Sequence, residues 1–229
     1  NLAITGPTGA YTLQFASTGL TSVTSTTIGI GAGVATQLAM VTQPSTSAVN
    51  GVAFAVQPAV QVRDAAGNPV AGVRAVTASI ATGGGTLGGT LTVNTDAAGL
   101  ATFTNLAITG TVGPRTLRFT SGTLSQALSG SVTTTAGAAT QIAVNAGNGQ
   151  SATVNTAVAV PPSVVVRDVS GNPVSGVSVT FAVASGGGSI VPVTPATTNA
   201  SGIAALTSWT LGTIAGGNTV TATSGTLTG

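Results

Sequence analysis

Asn1-Leu-Ala-Ile-Thr-Gly6 returns unchanged as Asn105-Leu-Ala-Ile-Thr-Gly110, an offset of 104 residues. No other feature of the 229 residues constrains the fold as strongly, because self-similarity at a fixed period marks one structural unit set in tandem. Ala35-Thr-Gln-Leu-Ala39 recurs as Ala139-Thr-Gln-Ile-Ala143. Arg63-Asp64 with Gly67-Asn68-Pro69-Val70 recurs as Arg167-Asp168 with Gly171-Asn172-Pro173-Val174. After one deletion the offset is 103, aligning Thr95-Asp-Ala-Ala-Gly99 with Thr198-Asn-Ala-Ser-Gly202 and Thr120-Ser-Gly-Thr-Leu124 with Thr223-Ser-Gly-Thr-Leu227.

Three segments follow from the frame of the repeat. Residues 33–136 are one full unit. Residues 137–229 are a second unit that runs to the equivalent of Gln126, without a last strand. Residues 1–32 match 105–136, the final third of a unit. Val, Ile and Thr in alternation suit a pleated, half-buried surface, while strong helix formers other than Ala and Leu are nearly absent. The fold class is therefore all-β. Turn signals every 8–12 residues in a unit of this length give the size and rhythm of an immunoglobulin-like sandwich, so the chain reads as tandem Ig-like domains. Seven strands are expected in the complete unit, near 35–42, 52–63, 74–81, 89–94, 100–108, 115–120 and 126–135. Between Asp64 and Pro69 a turn is expected in which Asp64 bonds forward to the backbone, Gly67 takes positive φ and Asn68 is extended before proline.

Composition excludes most chemistry. Charged residues are 3% of the chain: Arg63, Arg74, Arg115, Arg118 and Arg167 against Asp64, Asp96 and Asp168, with no Lys, Glu, His or Cys. The usual zinc, copper, haem and iron–sulfur ligand sets cannot be assembled, and no cofactor is expected. General acid–base and nucleophilic catalysis lose nearly all their agents, so an enzyme is not expected. Five scattered Arg make no phosphate-binding patch, which argues against nucleic acid. Hydrophobic residues are 42% of the chain, which sets it apart from disordered segments, yet no run approaches the roughly 20 apolar residues of a membrane helix.

The Arg-Asp-x-x-Gly-Asn-Pro-Val-x-Gly-Val stretch at 63–73 and 167–177, with the later Thr-Asp/Asn-Ala-x-Gly-Leu/Ile-Ala stretch, resembles bacterial Ig-like repeats of the invasin and intimin type. The resemblance covers essentially the whole chain. It implies tandem modules of bacterial surface proteins, which are usually spacers, and an extracellular or cell-surface location.

The C-terminal unit lacks a last strand whose spare copy lies near Ser22 to Gly31. Two readings stand side by side. In one, the residues are a window on a longer tandem array. In the other, N-terminal strands of one subunit complete the C-terminal sandwich of another by strand addition, and repetition gives an open filament. Tyr11, Leu13, Phe15, Val23, Ile28 and Ile30 are then the candidate assembly residues. The expected partner is the chain itself, as a homopolymer or as neighbouring repeats.

The remaining candidates have plainer readings. Asp64 and Asp168 occupy equivalent turns of different repeats, so turn-capping is expected over a catalytic dyad, and three Asp over two domains make a poor calcium site. Gly83-Gly-Gly85 and Gly186-Gly-Gly188 have no following helix or Lys and read as strand connections rather than phosphate loops. Trp209 shares strand parity with Ile203 and Leu211, which points to the core, with a sugar-stacking platform as the alternative. Asn199-Ala-Ser201 is a glycosylation sequon, and the dense Ser and Thr could carry an O-linked glycan coat. The leading expectation is a structural subunit of a bacterial extracellular filament or surface fibre. The alternative is a spacer or ligand-binding segment of a large cell-surface adhesin.

Overall fold

A computed structural model describes residues 2–229 of the chain; Asn1 lies outside the described residues. The chain folds into 24 short strands and no helix among the described residues, in two compact units. The first takes in residues up to Ala48, Ala53–Ile108 and Gly113–Thr133. The second takes in Val49–Val52, Thr109–Val112 and Thr134–Gly229.

In the first unit, one sheet runs in the order Thr92–Asn94, Ala75–Thr82, Gly113–Thr120, Val132–Thr135, Ser47–Val49, with Ala127–Leu128 paired on Gly113–Thr120. The facing sheet runs Leu100–Thr102, Ala59–Asp64, Ala35–Thr42. Period-two alternation aims Val76, Ala78, Leu117, Phe119 and Val132 inward from one sheet, against Leu38, Val60 and Val62 from the other. The Phe103 and Phe119 rings meet with centroids 5.3 Å apart, tilted by 52°.

The sandwich agrees with the all-β Ig-like expectation, and the departures lie in strand ends. The expected 52–63 strand begins only at Ala59, because Gln57 and Pro58 interrupt it. Gln57 spends its carboxamide on Leu106 instead, donating to the Leu106 carbonyl at 3.1 Å and accepting its N–H at 2.9 Å. The expected 100–108 strand is two pieces: Leu100–Thr102 pairs with Ala59–Asp64, whereas Ala107–Thr109 pairs with Thr86–Gly88.

The second unit repeats this plan with a redistributed core: Ala222 stands where the first repeat has Phe119, and Trp209 where it has Leu106. Ser178–Ser185 lies between Ala196–Thr197 and Thr219–Ser224, facing a sheet of Gln141–Ala146, Ser163–Arg167 and Ile203–Ala205. Its end is different. In the first repeat the chain leaves Thr120, crosses to the facing sheet, and Ser125 bonds on both sides to Thr36 and Leu38. In the second, Leu227–Thr228 folds straight back on Thr219–Ser224 as a tight hairpin. No strand equivalent to Val132–Thr135 follows within these residues.

Residues 2–32 belong to the first unit and form two ladders: Gly9–Tyr11 with Ile28–Ile30, and Gln14–Phe15 with Val23–Thr24. The register is that of the complete repeat. Phe15 opposes Val23 as Phe119 opposes Ala127, 104 residues on.

Candidate functional site

The two Asp turns are built alike. Asp64 Oδ1 accepts the N–H groups of Ala66 at 3.0 Å and Asn68 at 2.8 Å, and Gly67 sits at φ 86° between them. Asp168 Oδ1 does the same for Ser170 and Asn172, both at 2.9 Å, with Gly171 at φ 80°. Forward bonding to the backbone is what a short carboxylate side chain does best, so the turn expectation holds. Each carboxylate's other oxygen holds the first residue of its own repeat, the Gly33 N–H or the Gly137 N–H, at 2.8 Å.

These donors set the protonation state. The Asn68 side chain and the Gly33 N–H hold the Asp64 carboxyl at about 2, below the ordinary 3.8. Burial pushes Asp168 up, but hydrogen bonds from Asn172, Gly137 and Asn50 outweigh it and leave this carboxyl at about 2 as well. Both are firmly ionised structural anions, the opposite of what a general acid needs.

The Asn of each turn does something the sequence alone did not disclose. Asn68 Nδ2 donates to the Gly6 carbonyl at 3.0 Å, and Asn68 Oδ1 accepts the Thr8 N–H at 2.9 Å. Asn172 makes the same pair with Gly110 O at 2.8 Å and Val112 N at 3.0 Å. A carboxamide thereby imitates a peptide unit and binds a loop 60–62 residues earlier. Asn50, also unsuspected from sequence, adds a third contact in the second unit. Its Nδ2 donates to Asp168 Oδ2 and to Ser170 Oγ, both at 2.9 Å. The repeated Gly-Asn-Pro was the signal for the first role; a lone Asn50 carried none.

Of the six candidate assembly residues, five fall on the N-terminal ladders and Leu13 lies between two of their strands. Tyr11 opposes Ile28, Phe15 opposes Val23, and Ile30 opposes Gly9. The Leu13 N–H is held by Ser25 Oγ at 2.9 Å, the counterpart of Leu117 and Ser129 at 2.8 Å. The segment thus carries the conformation of 105–136 without its burial. Phe15 is 55% exposed and Val23 65%, where Phe119 is 0% and Ala127 5%. Leu13 and Ile28 are half-buried, whereas their counterparts Leu117 and Val132 are fully buried.

The second unit contains a cavity of about 440 Å³, which opens beside Val144, Phe181, Trp209, Val220 and Ala222. Val144 is half exposed, although its place in the first repeat belongs to Met40, which packs on the core. Trp209 is in the core, as expected, at 7% exposure, with Leu211 packed against that core; Ile203 does not share its face, because Ile203–Ala205 is a separate strand whose buried residue is Ala204. Its indole Nε1–H is buried without a hydrogen-bond partner at the margin of this cavity.

Asn199 is exposed, and its Oδ1 accepts the N–H groups of Ser201 and Ile203 at 2.9 and 3.1 Å, as Asp96 does for Ala98 and Leu100. The three glycines from Gly83 and from Gly186 all take positive φ and join strands. Among the described residues no three His, Cys, Asp or Glu gather where they could hold a metal.

No protein-family model and no curated protein matches the chain. Solved structures do. FdeC, an Escherichia coli adhesin, matches with a TM-score of 0.45 and 17% identity, over 86% of this chain and 63% of that one. The D0-D1 domain of intimin matches with a TM-score of 0.34 and 21% identity, over 85% and 94%. Invasin, a bacterial integrin-binding protein, matches with a TM-score of 0.39 and 20% identity, over 82% and 36%. These are bacterial Ig-like domains of the type that the two motifs resemble. The chain spans less than two-thirds of the FdeC structure's length.

Proposed function

We propose that the chain is a structural building block of a bacterial extracellular fibre, in which Ser22–Gly31 of one copy enters the open flank of residues 137–229 of another. The observation that carries this reading is a pair of features. One segment exposes residues whose counterparts fill a sandwich core elsewhere in the same chain, and residues 137–229 hold a cavity beside Val144, Phe181 and Trp209.

In the exchange Ile28–Ile30 trades its ladder with Gly9–Tyr11 for one with the counterpart residues Gly216–Asn218. The second repeat's strand starts at Thr219, whereas the first repeat's starts at Gly113, the counterpart of Gly216. Further along, Ala222 already shares two backbone hydrogen bonds with Gly229, and Leu227–Thr228 pairs with Thr223–Ser224, so Val23–Thr24 enters beside Thr221–Ala222 only by displacing this hairpin. The net gain is burial of the Val23 and Ile28 side chains, each worth about 1.5–3 kcal/mol when fully buried. Near-zero charge leaves little repulsion between copies.

Sedimentation of the full chain over a range of concentrations tests this. Growth of a size series that Ile28→Asp abolishes supports it. A single species at every concentration would remove it.

One observation favours a second reading, a spacer segment in a large cell-surface adhesin. Residues 2–32 already hold the shape and the Asn68 contacts of a repeat's final third, which is what a continuous array would display. FdeC, intimin and invasin make an adhesin context reasonable. A native band far above 21.6 kDa on a denaturing gel favours the array; a band at that mass favours the fibre.

A further inference from the structure

Val49–Val52 and the counterpart turn at 153–156 are built to one design. The Val52 N–H donates to Val49 O at 3.0 Å and the Thr156 N–H to Thr153 O at 3.2 Å, with Gly51 at φ 77° and Asn155 at φ 56°. The shared geometry aligns Asn50 with Val154. Asn50 is buried, and it is engaged on all sides: Asp168 Oδ2 and Ser170 Oγ accept from it, and its Oδ1 accepts the Gly110 N–H at 2.8 Å.

Ser170 is the third residue of the Asp168 turn. In the Asp64 turn that place is Ala66. Two pairs therefore occur in one chain: a polar Asn50 that meets a polar Ser170, and an apolar Val154 that would suit an apolar Ala66. Mismatching them is costly in both directions. Asn facing Ala leaves a buried amide hydrogen without an acceptor, and Val facing Ser leaves the Oγ without its donor.

We propose that this position, Asn50 or Val154, decides which repeat follows which. The Asn50 turn docks on the Ser170-type Asp turn, and the Val154 turn docks on the Asp64–Asn68 turn of a second copy of this chain. That turn is prepared for it. It already holds Gly6 and Thr8, the counterparts of Gly110 and Val112, so the contact it lacks within its own unit is the counterpart of Asn50. Ala66 and Val154 are both exposed. The second half of the proposal rests on the fibre reading above; the first half does not.

The test uses the full chain in two arms. In the first, amide exchange at Gly110 and Val112 is followed in Asn50→Val, Ser170→Ala and the double variant. Each single variant speeds exchange about tenfold, and the double variant stays well short of the hundredfold that independent sites would give. Simple additivity overturns the pairing. In the second arm, self-association is measured for Val154→Asn and for Val154→Asn with Ala66→Ser. The single variant weakens association about tenfold and the second substitution restores it. A Val154→Asn chain that associates as well as the native one overturns the choice of partner. A native chain that never associates removes the fibre reading, while the first arm still decides the Asn50–Ser170 pairing.

Discussion

Phe15 and Phe119 hold equivalent places in two ladders of the same register, yet Phe15 is 55% exposed and Phe119 is buried completely. The difference lies in what faces them. Phe119 has Phe103 and the rest of a sandwich core within its unit, and Phe15 has solvent.

Truncating the two side chains separates these environments. Phe119→Ala opens a cavity in a closed core and lowers unfolding stability by about 3–5 kcal/mol. Phe15→Ala stays within about 0.5 kcal/mol of the native chain at dilute concentration. Denaturant melts of both variants measure this directly.

Acid acts through the Asp turns. Both carboxyls sit at about 2 in the fold against an ordinary 3.8, so the unfolded chain takes up protons first as the pH falls. Their contribution is complete above about pH 4 and drains away as the pH drops towards 2. The thermal midpoint is therefore flat from pH 7 to about 4.5 and declines below it. Asp168→Asn melts lower than the native chain at pH 7 and shows a shallower acid decline.

Asn68 ties the N-terminal ladders to the first sandwich through Gly6 and Thr8. Asn68→Ala frees that segment, and chymotryptic cleavage at Tyr11 and Phe15 accelerates. Thr8→Pro removes one of the two hydrogen bonds without touching the turn, because proline has no N–H. It produces a smaller acceleration with the Asp64 turn intact.

Trp209 is the only tryptophan, and it borders the cavity of the second unit. In the proposed exchange a strand fills that cavity and excludes water from beside the indole. Its emission shifts to the blue as concentration rises, and the shift disappears in Ile28→Asp.

Much of this fold can be read from residues whose partners are close in sequence. The Asp64-to-Pro69 turn is legible because its donors are two and four residues away. Trp209 lies in the core as expected, yet not through its parity with Ile203: Ile203–Ala205 and Ser208–Thr210 are separate strands, and Ala204 is the buried residue of the first. What stayed hidden depends on distant partners. Gln57 replaces a strand partner for Leu106, 49 residues on, and so ends a strand that alternation alone extends to residue 52. Asn50 meets Asp168 across 118 residues, and one polar residue in a Ser- and Thr-rich stretch gives no sign of that. The offset of 104 foretold the N-terminal ladders, but their exposure could be seen only in the structure.

In the proposed fibre, Ser22–Gly31 of one copy lies against residues 137–229 of another. The chain has no cysteine, so two single-cysteine variants make a clean cross-linking pair. Ile28→Cys and Val144→Cys chains are mixed, oxidised and run on a non-reducing gel, with Leu20→Cys replacing Ile28→Cys as the control. Strand exchange gives a band at twice 21.6 kDa for the Ile28–Val144 mixture and far less of it in the control. Equal cross-linking in both mixtures, or none in either, rules strand exchange out.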